Sequence, residues 1–126
     1  MTRIILTVID DMFFAAKVRA AADHLGVNLR SVRNLDTLLR VARETTPDLI
    51  IVDLHSDKID PLAIGQTLKS DDQLASIPLL GFFSHVHTDL KQSAIAAGYD
   101  LVIPRSVFSR DLAMILQGKF GGTAND

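Results

Sequence analysis

Short apolar runs alternate with segments of helical periodicity five times along this chain, and that alternation constrains its fold more than any other feature. Residues 3–9 and Leu49–Asp53 are almost continuously apolar and rich in β-branched side chains, a composition typical of strands that are covered on both faces. Because strand and helix alternate, we predict a parallel sheet with helices on both faces and right-handed crossovers. The predicted class is α/β, a single three-layer (βα)5 doubly wound domain.

The remaining elements follow from periodicity and from helix start and stop signals. Pro61 suits a first helical position, and Gly26 and Gly98 suit helix ends. Asn34 or Asp36 can cap the second helix. The predicted strands are residues 3–9, 27–32, 49–53, 77–83 and 101–103, and the predicted helices are 12–25, about 35–44, 61–69, about 88–97 and 106–117. We expect one domain over residues 1–118 and a short flexible tail over 119–126.

The overall composition excludes several classes of function. A length of 126 residues suits one domain, and a net charge of −2 gives no general attraction to nucleic acid or to anionic lipid. The chain has no cysteine, which excludes disulfide and thiolate chemistry and fits a cytoplasmic location. No apolar run approaches the roughly 18 residues that span a membrane. We therefore expect a soluble cytoplasmic protein that binds neither nucleic acid directly nor membranes.

Aspartates stand at the ends of two of the predicted buried strands. Asp10 and Asp11 follow the first strand, and Asp53 closes the third. The carboxyl ends of neighbouring parallel strands face one crevice, where ligands bind. Three carboxylates would repel one another there unless a cation neutralised them, and hard oxygen ligands suit Mg²⁺. The pattern indicates a phosphoryl-accepting aspartate beside a metal-binding acidic pair.

The same aspartates belong to a wider set of motifs that resembles a known family. The motifs are Val8-Ile9-Asp10-Asp11, Ile51-Val52-Asp53, Ile77-Pro78 and Ala97-Gly98. Together they resemble the receiver domain of two-component response regulators, which has the fold of the chemotaxis response regulator, over residues 3 to about 118. The resemblance implies strand order 2-1-3-4-5, which places the first and third strands side by side.

The resemblance also implies roles for individual residues. In that family the aspartate at the position of Asp53 accepts a phosphoryl group from a sensor histidine kinase or a phosphotransfer protein. Mg²⁺ would be held by Asp10, Asp11, Asp53 and the backbone carbonyl of His55, which meets the demand of phosphoryl transfer for positive charge. Any enzymatic activity would be at most self-phosphorylation and dephosphorylation on Asp53. A downstream protein partner would contact residues 88–117, and the protein would be a monomer or a homodimer.

The position of the family's phosphate-binding lysine is occupied by arginine. Counting forward without gaps places Arg105 there, with Pro104 before it rather than after it. Arginine can contact a phosphoryl group with two parallel hydrogen bonds, but it lacks the compact point charge of lysine. It can equally pair with the nearby acids as a permanent counter-ion that replaces Mg²⁺. The sequence leaves both interpretations open.

The residues that switch the family's conformation also differ. Phe83 falls where the family has threonine or serine, and Ser84, one residue later, could serve as the switch hydroxyl only through a bulge or slip. Val102 falls at the position of the switching aromatic, and Tyr99 lies three residues earlier. These departures favour an alternative function, a phosphorylation-independent pseudo-receiver that acts as a constitutive protein-interaction module.

Other chemistry is weakly indicated. His85 and His87 could bind a transition metal with a nearby acid, but such a pair in a loop is more often solvated. A small flavodoxin-like enzyme is disfavoured, because the chain has neither a glycine-rich phosphate loop nor a dinucleotide-binding fingerprint.

Overall fold

The structure, a computed structural model, describes residues 2–84 and 88–119, so the predicted pair His85 and His87 and most of the predicted tail lie outside the described residues. The strands are β1 (Ile4–Val8), β2 (Asn28–Ser31), β3 (Leu49–Asp53), β4 (Leu79–Phe83) and β5 (Leu101–Pro104). The helices are α1 (Met12–Leu25), α2 (Leu35–Thr45), α3 (Pro61–Lys69), α4 (Thr88–Ala96), α5 (Arg105–Arg110) and α6 (Leu112–Leu116).

The strands form one parallel five-stranded sheet in the order β2-β1-β3-β4-β5. This confirms the predicted α/β class and the strand order that the resemblance implied. Strands β1 and β3 are neighbours, with Val8 paired to Val52 and Thr7 paired to Ile51. The last residues of both strands therefore lie at the same edge of the sheet, where the chain order reverses and a ligand crevice is expected.

Helices cover both faces of the sheet, and each face has its own hydrophobic core. Successive strand residues point to opposite faces, so Leu6 packs with α2, α3 and α4 whereas Ile5 packs with α1, α5 and α6. On the second face three rings meet: Phe14 and Phe108 lie 5.3 and 4.8 Å from Phe82, between ring centroids. The predicted three-layer arrangement is confirmed.

Helix α1 shows why the local signals worked. Asp11 precedes it with extended backbone angles, and its side chain accepts hydrogen bonds from the backbone N–H groups of Phe13 and Phe14, which is the geometry of an N-cap. The helix ends at Gly26, whose φ of 71° is readily adopted only by glycine. Of the two caps considered for α2, Asn34 is the one used, since its side chain accepts from the backbone N–H of Thr37.

The prediction of one continuous helix over residues 106–117 was wrong. The chain forms α5 and α6, separated at Asp111, whose φ of −103° and ψ of 16° leave the helical region. The Asp111 carboxylate accepts two hydrogen bonds of 3.0 Å from the guanidinium of Arg110. Aspartate is a poor residue for helix interiors, because its side chain can hydrogen-bond nearby backbone groups in non-helical conformations. The buried face is nevertheless kept, with Phe108, Leu112 and Ile115 all in the core.

Within residues 2–84 and 88–119, no helix combines the length and the apolar character that crossing a membrane requires.

Candidate functional site

The acidic residues singled out in the sequence lie at one edge of the sheet. Asp10 and Asp11 follow β1 directly, and Asp53 is the last residue of the adjacent strand β3. The negative charge of Asp10 is close enough to raise the pKa of Asp53. Register and electrostatics thus agree that the two strand ends share one acidic pocket, which we define as Asp10, Asp11 and Asp53.

Asp53 is the buried member of this pocket. Its residue surface is 8% exposed, and its Oδ1 accepts a 2.9 Å hydrogen bond from the backbone N–H of His55. Burial raises the pKa of the Asp53 carboxyl, because the charged form loses hydration; the hydrogen bond from His55 opposes this shift, as does the positive charge of Arg105. Asp53 is therefore a confined carboxylate at the carboxyl end of a central strand.

Asp10 is bonded to the loop that follows β3. Its Oδ1 accepts a 2.9 Å hydrogen bond from the Ser56 hydroxyl, and its Oδ2 accepts a 2.8 Å bond from the backbone N–H of Asp57. The Ser56 hydroxyl also accepts from the backbone N–H of Lys58, and Ser56 is 7% exposed. Asp10 thus positions the β3–α3 loop. Sequence reasoning missed Ser56, because a single serine in a polar loop carries no signal of a partner 46 residues away.

The two carboxylate oxygens of Asp11 have different partners. Oδ1 caps α1 by accepting 3.0 and 3.1 Å hydrogen bonds from the backbone N–H groups of Phe13 and Phe14. Oδ2 lies 3.1 Å from Nη2 of Arg105 in a salt bridge. The bond from the Phe14 backbone and the guanidinium of Arg105 hold the pKa of Asp11 below its usual value. The Asp11 side chain is therefore an ionised carboxylate with both oxygens engaged.

Arg105 is held by an aromatic ring as well as by Asp11. It is the first residue of α5, directly after Pro104 of β5, and its guanidinium carbon lies 3.9 Å from the centroid of the Phe14 ring. This distance is well within the range of a cation–π contact. Of the two roles that the sequence left open for Arg105, pairing with a neighbouring acid is the one present in this structure.

Strand β4 ends at Phe83, the residue that counting along the sequence placed at the family's hydroxyl position. The β3–β4 pairing runs from Ile50 with Leu79 to Asp53 with Phe82 without an extra residue in either strand. Phe83 is 7% exposed and belongs to the core, and Ser84 is exposed. The backbone N–H of Ser84 donates a 3.1 Å hydrogen bond to Nε2 of His55, which ties the ends of β3 and β4. A role for the Ser84 hydroxyl stays a prediction.

Tyr99 is part of the core rather than a surface aromatic. It is 3% exposed, and its hydroxyl donates a 2.7 Å hydrogen bond to the backbone carbonyl of Pro61 at the start of α3. Burial raises the pKa of its phenol well above the usual value. Val102, which counting along the sequence placed at the position of the family's switching aromatic, is also buried.

The carboxylate oxygens of the acidic pocket are not arranged around a metal ion in this structure. Both oxygens of Asp10 and both oxygens of Asp11 accept hydrogen bonds from the protein. Among residues 2–84 and 88–119 no group of three or more His, Cys, Asp or Glu side chains is disposed to hold an ion. The predicted Mg²⁺ site of Asp10, Asp11, Asp53 and the His55 carbonyl stays a prediction, and at Oδ2 of Asp11 an ion would compete with the Arg105 guanidinium.

Several solved structures with a similar fold are receiver domains or response regulators. The chemotaxis response regulator CheY4 of Vibrio cholerae matches with a TM-score of 0.79 and 18% identity, covering 95% of this chain and 100% of that one. The receiver domain of the sensor histidine kinase PA1611 from Pseudomonas aeruginosa, which carries a magnesium ion in its active site cleft, gives 0.79 and 18%, with 94% and 97% covered.

A third match is the signal receiver domain of a histidine kinase from Syntrophus aciditrophicus, with a TM-score of 0.75 and 25% identity over 93% of this chain and 92% of that one. No protein-family model matches the chain, and no curated protein does. The likeness is therefore one of backbone fold rather than of overall sequence. Together with the strand order and the position of the acidic pocket, these matches establish that the chain has the fold of a response-regulator receiver domain.

Proposed function

We propose that this protein is a signal-transduction receiver domain that accepts a phosphoryl group on Asp53 and signals through protein contacts. The observation that carries the proposal is the position of Asp53, a buried carboxylate at the carboxyl end of β3, beside β1 and its acids. Keeping a buried carboxylate charged is costly in a protein core. A functional role accounts for the retention of one there.

The chemistry of acceptance follows from the geometry. Because Oδ1 of Asp53 is held by the backbone N–H of His55, Oδ2 is the oxygen that attacks phosphorus. The donor is a phosphohistidine of a sensor kinase or phosphotransfer protein. As the O–P bond forms, the N–P bond breaks in line, and the departing imidazole nitrogen takes a proton from water. The equatorial phosphoryl oxygens need positive charge nearby, which the Arg105 guanidinium supplies once it leaves Asp11.

The proposed output surface is residues 88–117, as in the family resemblance. It begins at α4 and includes β5, α5 and α6. Large apolar side chains stand exposed on it, with Ile95 of α4 at 44% and Met114 of α6 at 49%. Arg105 belongs to the same segment, so a change in its partner reaches this surface directly.

A small phosphodonor tests the proposal. The protein is exposed to acetyl phosphate, and separately to beryllofluoride, with and without Mg²⁺, and followed by intact-mass spectrometry and by ¹H–¹⁵N NMR. We expect a labile adduct on the wild-type protein and on the control Asp57→Asn, but not on Asp53→Asn. We also expect NMR shifts that spread to α5. Absence of an adduct on the wild-type protein under all of these conditions would overturn the proposal.

A second candidate, a phosphorylation-independent interaction module, is favoured by one observation. Phe83, in the core at the end of β4, has no hydroxyl that could follow a phosphoryl group on Asp53. For such a module Asp53→Asn would bind the downstream partner as tightly as the wild-type protein does, and beryllofluoride would leave the NMR spectrum of residues 88–117 unchanged. A loss of partner binding in Asp53→Asn would exclude this candidate.

A further inference from the structure

Arg105 and Asp11 form a long-range tie between two helices at the mouth of the acidic pocket. The residues are 94 positions apart, and Nη2 of Arg105 lies 3.1 Å from Oδ2 of Asp11. Asp11 caps the first turn of α1, and Arg105 is the first residue of α5. The pair therefore joins the start of α1 to the start of α5.

The ring of Phe14 provides a rigid support for the guanidinium. The Arg105 guanidinium carbon lies 3.9 Å from the ring centroid, and Phe14 itself is 6% exposed. Phe14 packs against Phe82 and Phe108 at centroid distances of 5.3 and 5.8 Å. Because its supporting ring is fixed in the core, the cation is held in one place by two independent contacts.

The hydrogen bonds and the ion pair of Asp11 also limit where an added cation could bind to its carboxylate. Oδ1 of Asp11 is used by the backbone N–H groups of Phe13 and Phe14, so Oδ2 is the oxygen left for an ion. Oδ2 is the atom that Arg105 holds. A divalent cation at Oδ2 would also lie next to a guanidinium, and like charges at that separation repel.

We infer that Arg105 is a built-in counter-ion that competes with a divalent cation for Asp11, so that the pocket binds the cation only when the tie between α1 and α5 opens. The competition stands on the geometry alone; its consequence for signalling rests on the proposed function. A divalent cation would then be a ligand that loosens the first turn of α5, at the edge of the proposed output surface. Conversely, a partner that holds the start of α5 in place would weaken cation binding, since coupling between two sites is reciprocal.

Titration of the full chain with MgCl₂, without phosphodonor, tests the inference. The amide signals of Asp10, Asp11 and Asp53 are followed by ¹H–¹⁵N NMR in the wild-type protein, in Arg105→Ala and in Arg105→Gln, which keeps a polar hydrogen-bonding side chain without the charge. Removal of the Arg105 guanidinium should tighten Mg²⁺ binding by about tenfold, a typical size for coupling between sites. The matched control is Arg110→Ala, which removes the guanidinium that pairs with Asp111 just beyond the end of α5; its Mg²⁺ affinity should equal that of the wild-type protein.

The outcomes separate this inference from the proposed function. Tighter Mg²⁺ binding in both Arg105 variants supports the competition, even if no phosphoryl adduct forms on Asp53. Unchanged or weaker Mg²⁺ binding in folded Arg105→Gln, checked by far-ultraviolet circular dichroism, overturns it, even if Asp53 of the wild-type protein is phosphorylated. An equal gain of affinity in Arg110→Ala would also overturn it, because the effect would then reflect net charge rather than the pair with Asp11.

Discussion

The ammonium group of Lys69 lies 2.9 Å from Oδ2 of Asp100, and the same oxygen accepts a hydrogen bond from the backbone N–H of Leu79. Lys69 also donates to the backbone carbonyls of Ala75 and Ile77, at 2.9 and 3.1 Å. One side chain at the end of α3 thus joins the segment that precedes β4 to the residue that precedes β5.

Lys69→Met should destabilise the protein by about 1–3 kcal/mol, because two partly buried carbonyls lose their donor. The measurement is the free energy of unfolding in urea. Lys17→Met serves as the matched control, since Lys17 is exposed on α1, and its effect should stay within about 0.5 kcal/mol. A Lys69→Met protein as stable as the control would contradict the assigned role.

Two adjacent phenylalanines on α1 should differ strongly in their contribution to stability. Phe14 is 6% exposed and contacts two core rings, whereas Phe13 is 91% exposed. Phe14→Ala should cost about 3 kcal/mol or more of unfolding free energy, as truncation of buried aromatics does. Phe13→Ala should cost no more than about 0.5 kcal/mol. Similar losses for both variants would contradict the orientation of α1 described here, with Phe14 in the core and Phe13 in solvent.

Tyr99→Phe removes a buried hydroxyl and keeps the ring. The backbone carbonyl of Pro61 then loses the 2.7 Å bond that it accepts from Tyr99. We expect a loss of about 1 kcal/mol, which corresponds to about 3–5 °C in Tm for a domain of this size, in a thermal unfolding experiment. The NMR response to beryllofluoride should be retained, because Tyr99 is a core residue. A variant with unaltered Tm but without that response would instead identify Tyr99 as a switch.

Asp53→Asn should stabilise the protein at neutral pH. Burial raises the pKa of Asp53 above its ordinary value in the folded state, so the folded protein binds the proton more tightly than the unfolded chain does. The stability that this carboxyl contributes is present below the unfolded pKa and is lost as the pH rises through the folded pKa. Asparagine carries no charge, and it keeps a carbonyl oxygen that can accept the hydrogen bond from His55.

The measurement is Tm as a function of pH for the wild-type protein and Asp53→Asn. The variant should melt a few degrees higher at pH 7, and the difference should shrink towards about pH 4. The control is Asp72→Asn at an exposed position, which should melt with the wild-type protein at pH 7. A lower Tm for Asp53→Asn at pH 7 would contradict the assigned cost of burying this carboxylate.

Local sequence signals predicted most of the fold because their physical causes are local. Gly26 ends α1 through its own backbone angles, and Pro61 begins α3 at a position that needs no N–H donor. The bounds of β3 follow from the apolar run that ends at Asp53, and the structure buries all five residues of Leu49–Asp53. Even the shared edge of the acidic pocket followed from strand alternation, since parallel strands carry their carboxyl ends to one side.

The contacts inside the pocket depend on register between distant segments, and the sequence could not assign them. Ser56 reaches Asp10 across 46 residues, and Arg105 reaches Asp11 across 94. Spacing placed Arg105 near the acids but left its partner open, because a guanidinium suits a phosphoryl group and a carboxylate equally well. The break at Asp111 was missed for another reason: the apolar periodicity continues through it, and only the backbone angles reveal it.

Strand β5 ends at Pro104 and α5 begins at Arg105, so no connecting residue lies between them. The backbone at the base of the Arg105 side chain is therefore fixed by the sheet, and ordering the ion pair costs less conformational entropy than it would on a mobile loop. In the competition inferred above, the identity of this one side chain sets whether the pocket carries its own cation or takes one from solution. A single substitution of Arg105, with the backbone unchanged, would then exchange a cation built into the protein for one bound from solution.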